Sequence, residues 1–179
     1  ADVDAVSELR RHEFGLDQSM PQQFVAYMGQ TVQGNLGISL TTRRPVLEEI
    51  GNKVWPTVIL VGAATLISAV AGVLVGIRAG WKRDSTFDRS STSVSMFTYA
   101  MPDFYLGILL LAVFAFWLAW LPTGGLESPE GGGLLDQAKH MILPCATLAI
   151  AYFGEYAIIM RSSLLEVRNE DYLVTARAK

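Results

Sequence analysis

The sequence predicts an all-α membrane protein, a polytopic helical bundle, on three observations. Hydrophobic residues make up 51% of the 179 positions and charged residues 17%, against about 25% charged in an average soluble domain. From Val54 to Ile77 no residue is charged, and at about 1.5 Å per residue such a helix crosses a hydrocarbon core ~30 Å thick. Two further apolar segments follow, separated by Gly, Pro and charge. This pattern argues against a soluble enzyme, a nucleic-acid binder or a disordered chain. The net charge of −3 carries little information, because it averages stretches that face lipid with stretches that face water.

Taken in order, residues 1–53 mix polar and apolar positions, with turn signals at Gly15, Pro21, Gly34 and Gly37, and read as a water-facing region with one or two short helices. The first span is expected over about 54–78, ending at Arg78, and the loop after it carries Lys82, Arg83 and Arg89. A second apolar segment, about 93–120, is interrupted at Pro102-Asp103. The stretch from Pro122 to Gly133 is too rich in Gly and Pro to continue a helix. A third segment, about 141–161, carries Glu155 and stops at Arg161, and residues 162–179 are polar enough to lie in water.

Basic residues concentrate in the loop after the first span and in the tail, where Arg161, Arg168, Arg177 and Lys179 stand. These two regions are expected on the cytoplasmic side. The Gly-rich loop, with Lys139 beside Glu127, Glu130 and Asp136, is then external, and parity places 1–53 outside as well. An external start that opens on polar residues instead of a signal peptide predicts a further transmembrane helix before Ala1 in the natural protein. The tail stops inside a helical pattern with no Gly or Pro to end it.

Ser68, Gly72, Gly76 and Gly80 recur every four residues. They form a small-residue face, extended by Ala64, of the kind that lets helices approach closely in lipid. Asp103 and Glu155 lie within apolar segments, where an ionisable group is costly and faces a cavity or a partner. Both are candidates to line a polar pathway, and Asp103, after Pro102, sits where a broken helix exposes backbone to such a cavity. No metal site is expected from the single cysteine, Cys145, with His12 and His140. No nucleophile–base arrangement or phosphate-cradling loop is present in the sequence, so neither catalysis nor ATP binding by this chain alone is expected.

The tail is the most specific segment. Ser163-Leu164-Leu165-Glu166 fits a capping box, and Asn169-Glu170-Asp171 places acceptors ahead of a short helix ending in Arg177 and Lys179. Thr175, Ala176 and Ala178 keep that helix slim enough to enter a protein groove. An amphipathic helix resting on the membrane surface fits the same composition.

The tail Arg161-Ser162-Ser163-Leu164-Leu165-Glu166-Val167, with Glu170-Asp171-Tyr172 and Thr175-Ala176-Arg177-Ala178-Lys179, resembles the cytoplasmic EAA-type loop of bacterial ABC importer permeases of the dipeptide/oligopeptide/nickel family. The resemblance extends over nearly the whole chain. It includes Gly34-Asn35-Leu36-Gly37 with Ser39, Thr42-Arg43-Arg44-Pro45-Val46, Pro102-Asp103-Phe104-Tyr105-Leu106-Gly107, Trp120-Leu121-Pro122 and His140-Met141-Ile142-Leu143-Pro144.

The resemblance implies a multi-pass permease subunit of the bacterial inner membrane, importing di- or oligopeptides. It also implies a second permease subunit, two cytoplasmic ATPases that carry ATP and Mg, and an external solute-binding protein. Glu170, Asp171, Tyr172, Thr175, Ala176, Arg177, Ala178 and Lys179 would form the coupling helix that docks on an ATPase. Three spans then correspond to the middle portion of a six-helix permease. Asp103 stands where the family carries a small residue, which implies a local preference for cationic groups such as a peptide amino terminus. Two alternatives are an importer of nickel or another small solute, and a non-transporting membrane anchor or assembly subunit whose tail lies on lipid.

Overall fold

The computed structural model describes residues 18–168 and 170. It clusters into two compact units that divide between Trp55 and Pro56.

In the first unit, α1 spans Met20–Val32. Ser19 stands at its N-terminus, and Gln22 reaches back so that Ser19 N and Oγ both donate to its Oε1, at 3.2 and 2.9 Å, which satisfies the amide that precedes the helix. Pro21, expected as a turn signal, occupies the first turn of α1, where its missing N–H costs nothing. Gly34 and Gly37 take φ of 83° and 76°. Ile38 and Pro45 form an isolated antiparallel bridge, closed by Ser39 N to Arg44 O at 2.9 Å and Val46 N to Gly37 O at 3.0 Å.

Helix α2 spans Val46–Trp81. It begins ahead of the apolar stretch expected from 54, because Glu48 and Glu49 in its first turn favour the positive end of the helix dipole. In the second unit, α3 spans Thr86–Ala100 and α4 spans Asp103–Leu110. A π-helical segment, Leu111–Trp117, continues from α4, and α5 spans Gly133–Arg168. At 36 residues each, α2 and α5 are about 54 Å long, more than a ~30 Å hydrocarbon core requires. Among the described residues these two are long and apolar enough to cross a membrane, and α3 with the segment Asp103–Trp117 makes a third span if that bent pair is counted as one.

The helix of the second segment starts at Thr86, ahead of the apolar stretch expected from about 93, because Ser85 accepts Asp88 N at 3.1 Å and caps the helix there. One sequence expectation is corrected: the capping box at Ser163–Glu166 does not form. Ser163 lies inside α5, whereas a capping residue needs extended backbone, and the helix continues because Leu164 packs against Gly80.

Candidate functional site

Helices α2 and α5 meet on small residues. Ala64, Ser68, Gly72, Gly76, Ala79 and Gly80 are the buried residues of α2, while Leu66, Val70 and Leu74 on its other faces are more than half exposed. A Cβ on Gly72 would stand 2.6 Å from Tyr156 Cβ, and one on Gly76 would stand 2.6 Å from the Ala157 carbonyl oxygen. The two backbones therefore approach as closely as glycine allows, and packing of this kind is what joins helices where surrounding lipid is as apolar as leucine. Ser68 donates to the Thr65 carbonyl at 3.0 Å, which satisfies its hydroxyl within the helix.

Gly154 makes a second close crossing, between α5 and α3. A Cβ there would collide with the Ser95 carbonyl oxygen and with Thr98 Oγ1. Ser95 is 1% exposed. The sequence reading did not single out Gly154, because the positions four residues away on either side are Ile150 and Ile158 and no small-residue repeat of that kind marks it.

At the end of the second unit where α3 begins and α5 ends, Asp88 is buried, with 2% exposure. Arg161 donates to it in fork fashion, Nε to Oδ1 at 2.5 Å and Nη2 to Oδ2 at 2.9 Å. Asp84 N donates to Asp88 Oδ2 at 2.9 Å, and Thr92 Oγ1 to Oδ1 at 3.3 Å. The carboxylate thus has both oxygens occupied, the condition under which a buried charge is tolerated. Close by, Arg168 Nη1 lies 3.0 Å from the carbonyl oxygens of both Gly80 and Trp81, a cation on the negative end of α2. The guanidinium of Arg78 stands 5.0 Å over the Phe87 ring, within cation–π range.

Further along α3 the chain breaks. Pro102 cannot supply an amide to a continuous helix, and α3 and the segment from Asp103 to Trp117 are bent by 98° at this point. Asp103 becomes the first residue of α4, its Oδ1 accepting Phe104 N at 2.8 Å, a placement favoured by the helix dipole. Gly107 lets α4 lie against Thr147 of α5. The π-helical segment ends where Trp120 N and Leu121 N both donate to Phe114 O, at 2.9 and 3.2 Å, and Ala119 takes φ of 51° to turn the chain.

The following loop is pinned onto the start of α5. Ser128 donates to the Asp136 carboxylate through N at 2.6 Å and Oγ at 2.8 Å. His140 Nδ1 lies 2.9 Å from Asp136 O, and since a carbonyl oxygen only accepts, Nδ1 is the donor of this bond.

Between α4, this loop and α5 lies an open cleft of about 540 Å³. Asp103, Gly107, Pro122, His140, Pro144 and Thr147 are among its lining residues. Most of its surface is apolar, with a carboxylate, an imidazole and the hydroxyls of Thr123 and Thr147 as the polar side-chain groups, the composition of a site for a small organic solute. Asp103 is therefore in the cleft. Glu155 is exposed on α5 and is not among the cleft residues, and Arg161, its nearest cation along the sequence, is taken by Asp88. Glu170 is exposed, its N bonded to Val167 O at 3.2 Å. The other coupling candidates, Asp171, Tyr172, Thr175, Ala176, Arg177, Ala178 and Lys179, lie outside the described residues.

Comparison with known proteins places these elements in a family context. Residues 72–179 match the model of the binding-protein-dependent transport system inner membrane component family. The chain is 38% identical, over 94% of its length and 56% of the relative's, to a di/tripeptide transport system permease protein of Pseudomonas aeruginosa. It is 39% identical, over 97% of its length and 54% of the relative's, to a glutathione transport system permease protein of Escherichia coli. A probable peptide ABC transporter permease protein of Sinorhizobium fredii is 37% identical over 94% of the chain and 54% of its own length. The chain spans about half the length of these curated relatives.

Proposed function

The chain belongs to the binding-protein-dependent transport system inner membrane component family, and from that membership we propose that it forms part of the membrane pathway of an ATP-driven importer of di- or oligopeptides. The relatives named for di/tripeptide and glutathione transport support a peptide-type solute. Solute arrives from an external binding protein, crosses between this subunit and a second permease, and is driven by cytoplasmic ATPases that hold ATP and Mg.

The observation that carries this reading is the broken helix at Pro102 with its cleft. Irregular backbone at membrane depth is tolerated where it lines a cavity, and transporter sites are typically built on such broken helices; the 98° bend beside Asp103, His140 and Thr147 fits that pattern. Asp103 is assigned to hold the cationic amino terminus of the solute. Ser68, Gly72, Gly76 and Gly80 are assigned to the helix contact that supports the pathway. Helix α5 runs without a break from His140 at the cleft to Arg168, next to the segment from Glu170 to Lys179. That segment is assigned as the coupling helix, with Thr175, Ala176 and Ala178 entering the ATPase groove and Glu170, Asp171, Arg177 and Lys179 fixing its register around Tyr172.

A photocrosslinker at Thr175, in the protein embedded with its co-purifying subunits, tests the coupling assignment. The expected adduct joins Thr175 to an ATPase subunit. Adducts to lipid alone contradict it and favour a membrane anchor with a surface-lying tail.

A further inference from the structure

The end of the second unit that leads into Glu170 carries more fixed contacts than a passive helix terminus needs. Arg161 grips Asp88 with two hydrogen bonds, Arg168 holds the last carbonyls of α2, and Gly154 locks α5 against Ser95 one helix crossing away. Asp88 is three residues into α3, and the far end of α3 is the break at Met101-Pro102. Helices α3 and α5 are thus joined at two levels, with a single break between α3 and the wall of the cleft that contains Asp103.

We propose that the Asp88–Arg161 ion pair is a latch that makes α3 follow α5, so that a displacement entering beside Arg168 is delivered to the Pro102 break and moves α4 against the cleft. The inference rests on the importer reading above and names the residues that transmit its motion. Asp88 and Arg161 are positioning residues that touch no solute. Their forked geometry suits this role better than a single contact, because two parallel hydrogen bonds fix orientation as well as distance. A rigid pair concentrates motion where helical hydrogen bonds do not bridge the chain, and that place is the Met101–Pro102 peptide: Met101 N bonds back to Phe97 O, while Pro102 O accepts from Tyr105 N and Leu106 N.

The test uses the complete transporter, assembled with its ATPases and binding protein in sealed vesicles, with uptake of a labelled dipeptide and ATP hydrolysis measured in parallel. Arg161→Lys keeps the charge and removes the fork, and Asp88→Asn keeps the shape and removes the charge. The latch predicts hydrolysis near that of the unmodified complex and uptake lower by about tenfold, a typical size for coupling between sites. The double variant Asp88→Leu with Arg161→Met, which removes both charges together, should keep hydrolysis near that of the unmodified complex and still transport about tenfold less, because the fork is gone.

Uptake and hydrolysis falling by the same factor, whether through failed assembly or general weakening, overturn the latch. So do unchanged uptake in the single variants and a double variant whose uptake matches that of the unmodified complex. Absence of ATP-driven uptake in the unmodified complex contradicts the importer reading and the latch together, whereas uptake in that complex which survives both single variants contradicts the latch alone.

Discussion

Arg161 and Asp88, 73 positions apart in the chain, form a forked ion pair with the carboxylate 2% exposed. Its carboxylate end is buried, while the Arg161 side chain is 27% exposed. Removing one partner of a fully buried pair costs about 3–5 kcal/mol, whereas apolar residues of similar volume at both positions are often neutral. Asp88→Ala leaves a partly exposed arginine, so it is expected to lower the thermal midpoint in detergent by less than that full cost. The double variant Asp88→Leu with Arg161→Met should return it close to the unmodified value, and a double variant as unstable as the single one would contradict the account.

The glycine seam gives a graded prediction. Gly76→Ala places a methyl group 2.6 Å from the Ala157 carbonyl oxygen, and because the obstacle is backbone, trimming Met160 cannot relieve it. Overpacking of this kind costs about 1–3 kcal/mol. Gly62, with open space around it, is the control, and Gly62→Ala should leave stability unchanged or raise it by up to about 1 kcal/mol, since alanine favours the helix interior. Equal effects at the two positions in a thermal-shift measurement would remove the seam from the account.

These two features were not equally legible in the sequence. The seam was readable because residues four apart share a helix face whatever the helix packs against, so Ser68, Gly72, Gly76 and Gly80 announce themselves by spacing. The Asp88–Arg161 pair was not, since nothing local links a carboxylate in a polar turn to an arginine at the edge of a later apolar stretch. Pro102 announced the break by its chemistry, but the 98° angle and the cleft come from how α4 settles on Thr147 through Gly107. Ser163 misled because its spacing to Glu166 fits a cap, while packing of Leu164 on Gly80 carries the helix through it.

Arg168 closes α2 from another helix. Arg168→Ala leaves the Gly80 and Trp81 carbonyls without their 3.0 Å partner. The group is exposed, so the loss should be modest, about 0.3–1 kcal/mol as for other cations at helix C-termini. High salt should erase most of the difference between Arg168→Ala and the unmodified protein in thermal unfolding, and a difference independent of salt would point to packing instead.

Asp103 is expected to distinguish solutes by charge at one end. In vesicle uptake, Asp103→Asn should reduce transport of a dipeptide with a free amino terminus by about tenfold, in the range of hydrogen bonds to charged groups. It should leave the slower transport of the N-acetylated form nearly unchanged. Equal losses for both would mean that Asp103 shapes the cleft without reading the solute's charge.

The central claim is that this chain forms part of an ATP-driven peptide pathway, and uptake in a defined system tests it most directly. The protein, reconstituted in sealed vesicles with its co-purifying ATPases and binding protein, is expected to accumulate a labelled di- or tripeptide only when ATP and the binding protein are both present. Vesicles whose ATPases hydrolyse ATP but that accumulate no peptide above the ATP-free control would contradict the account.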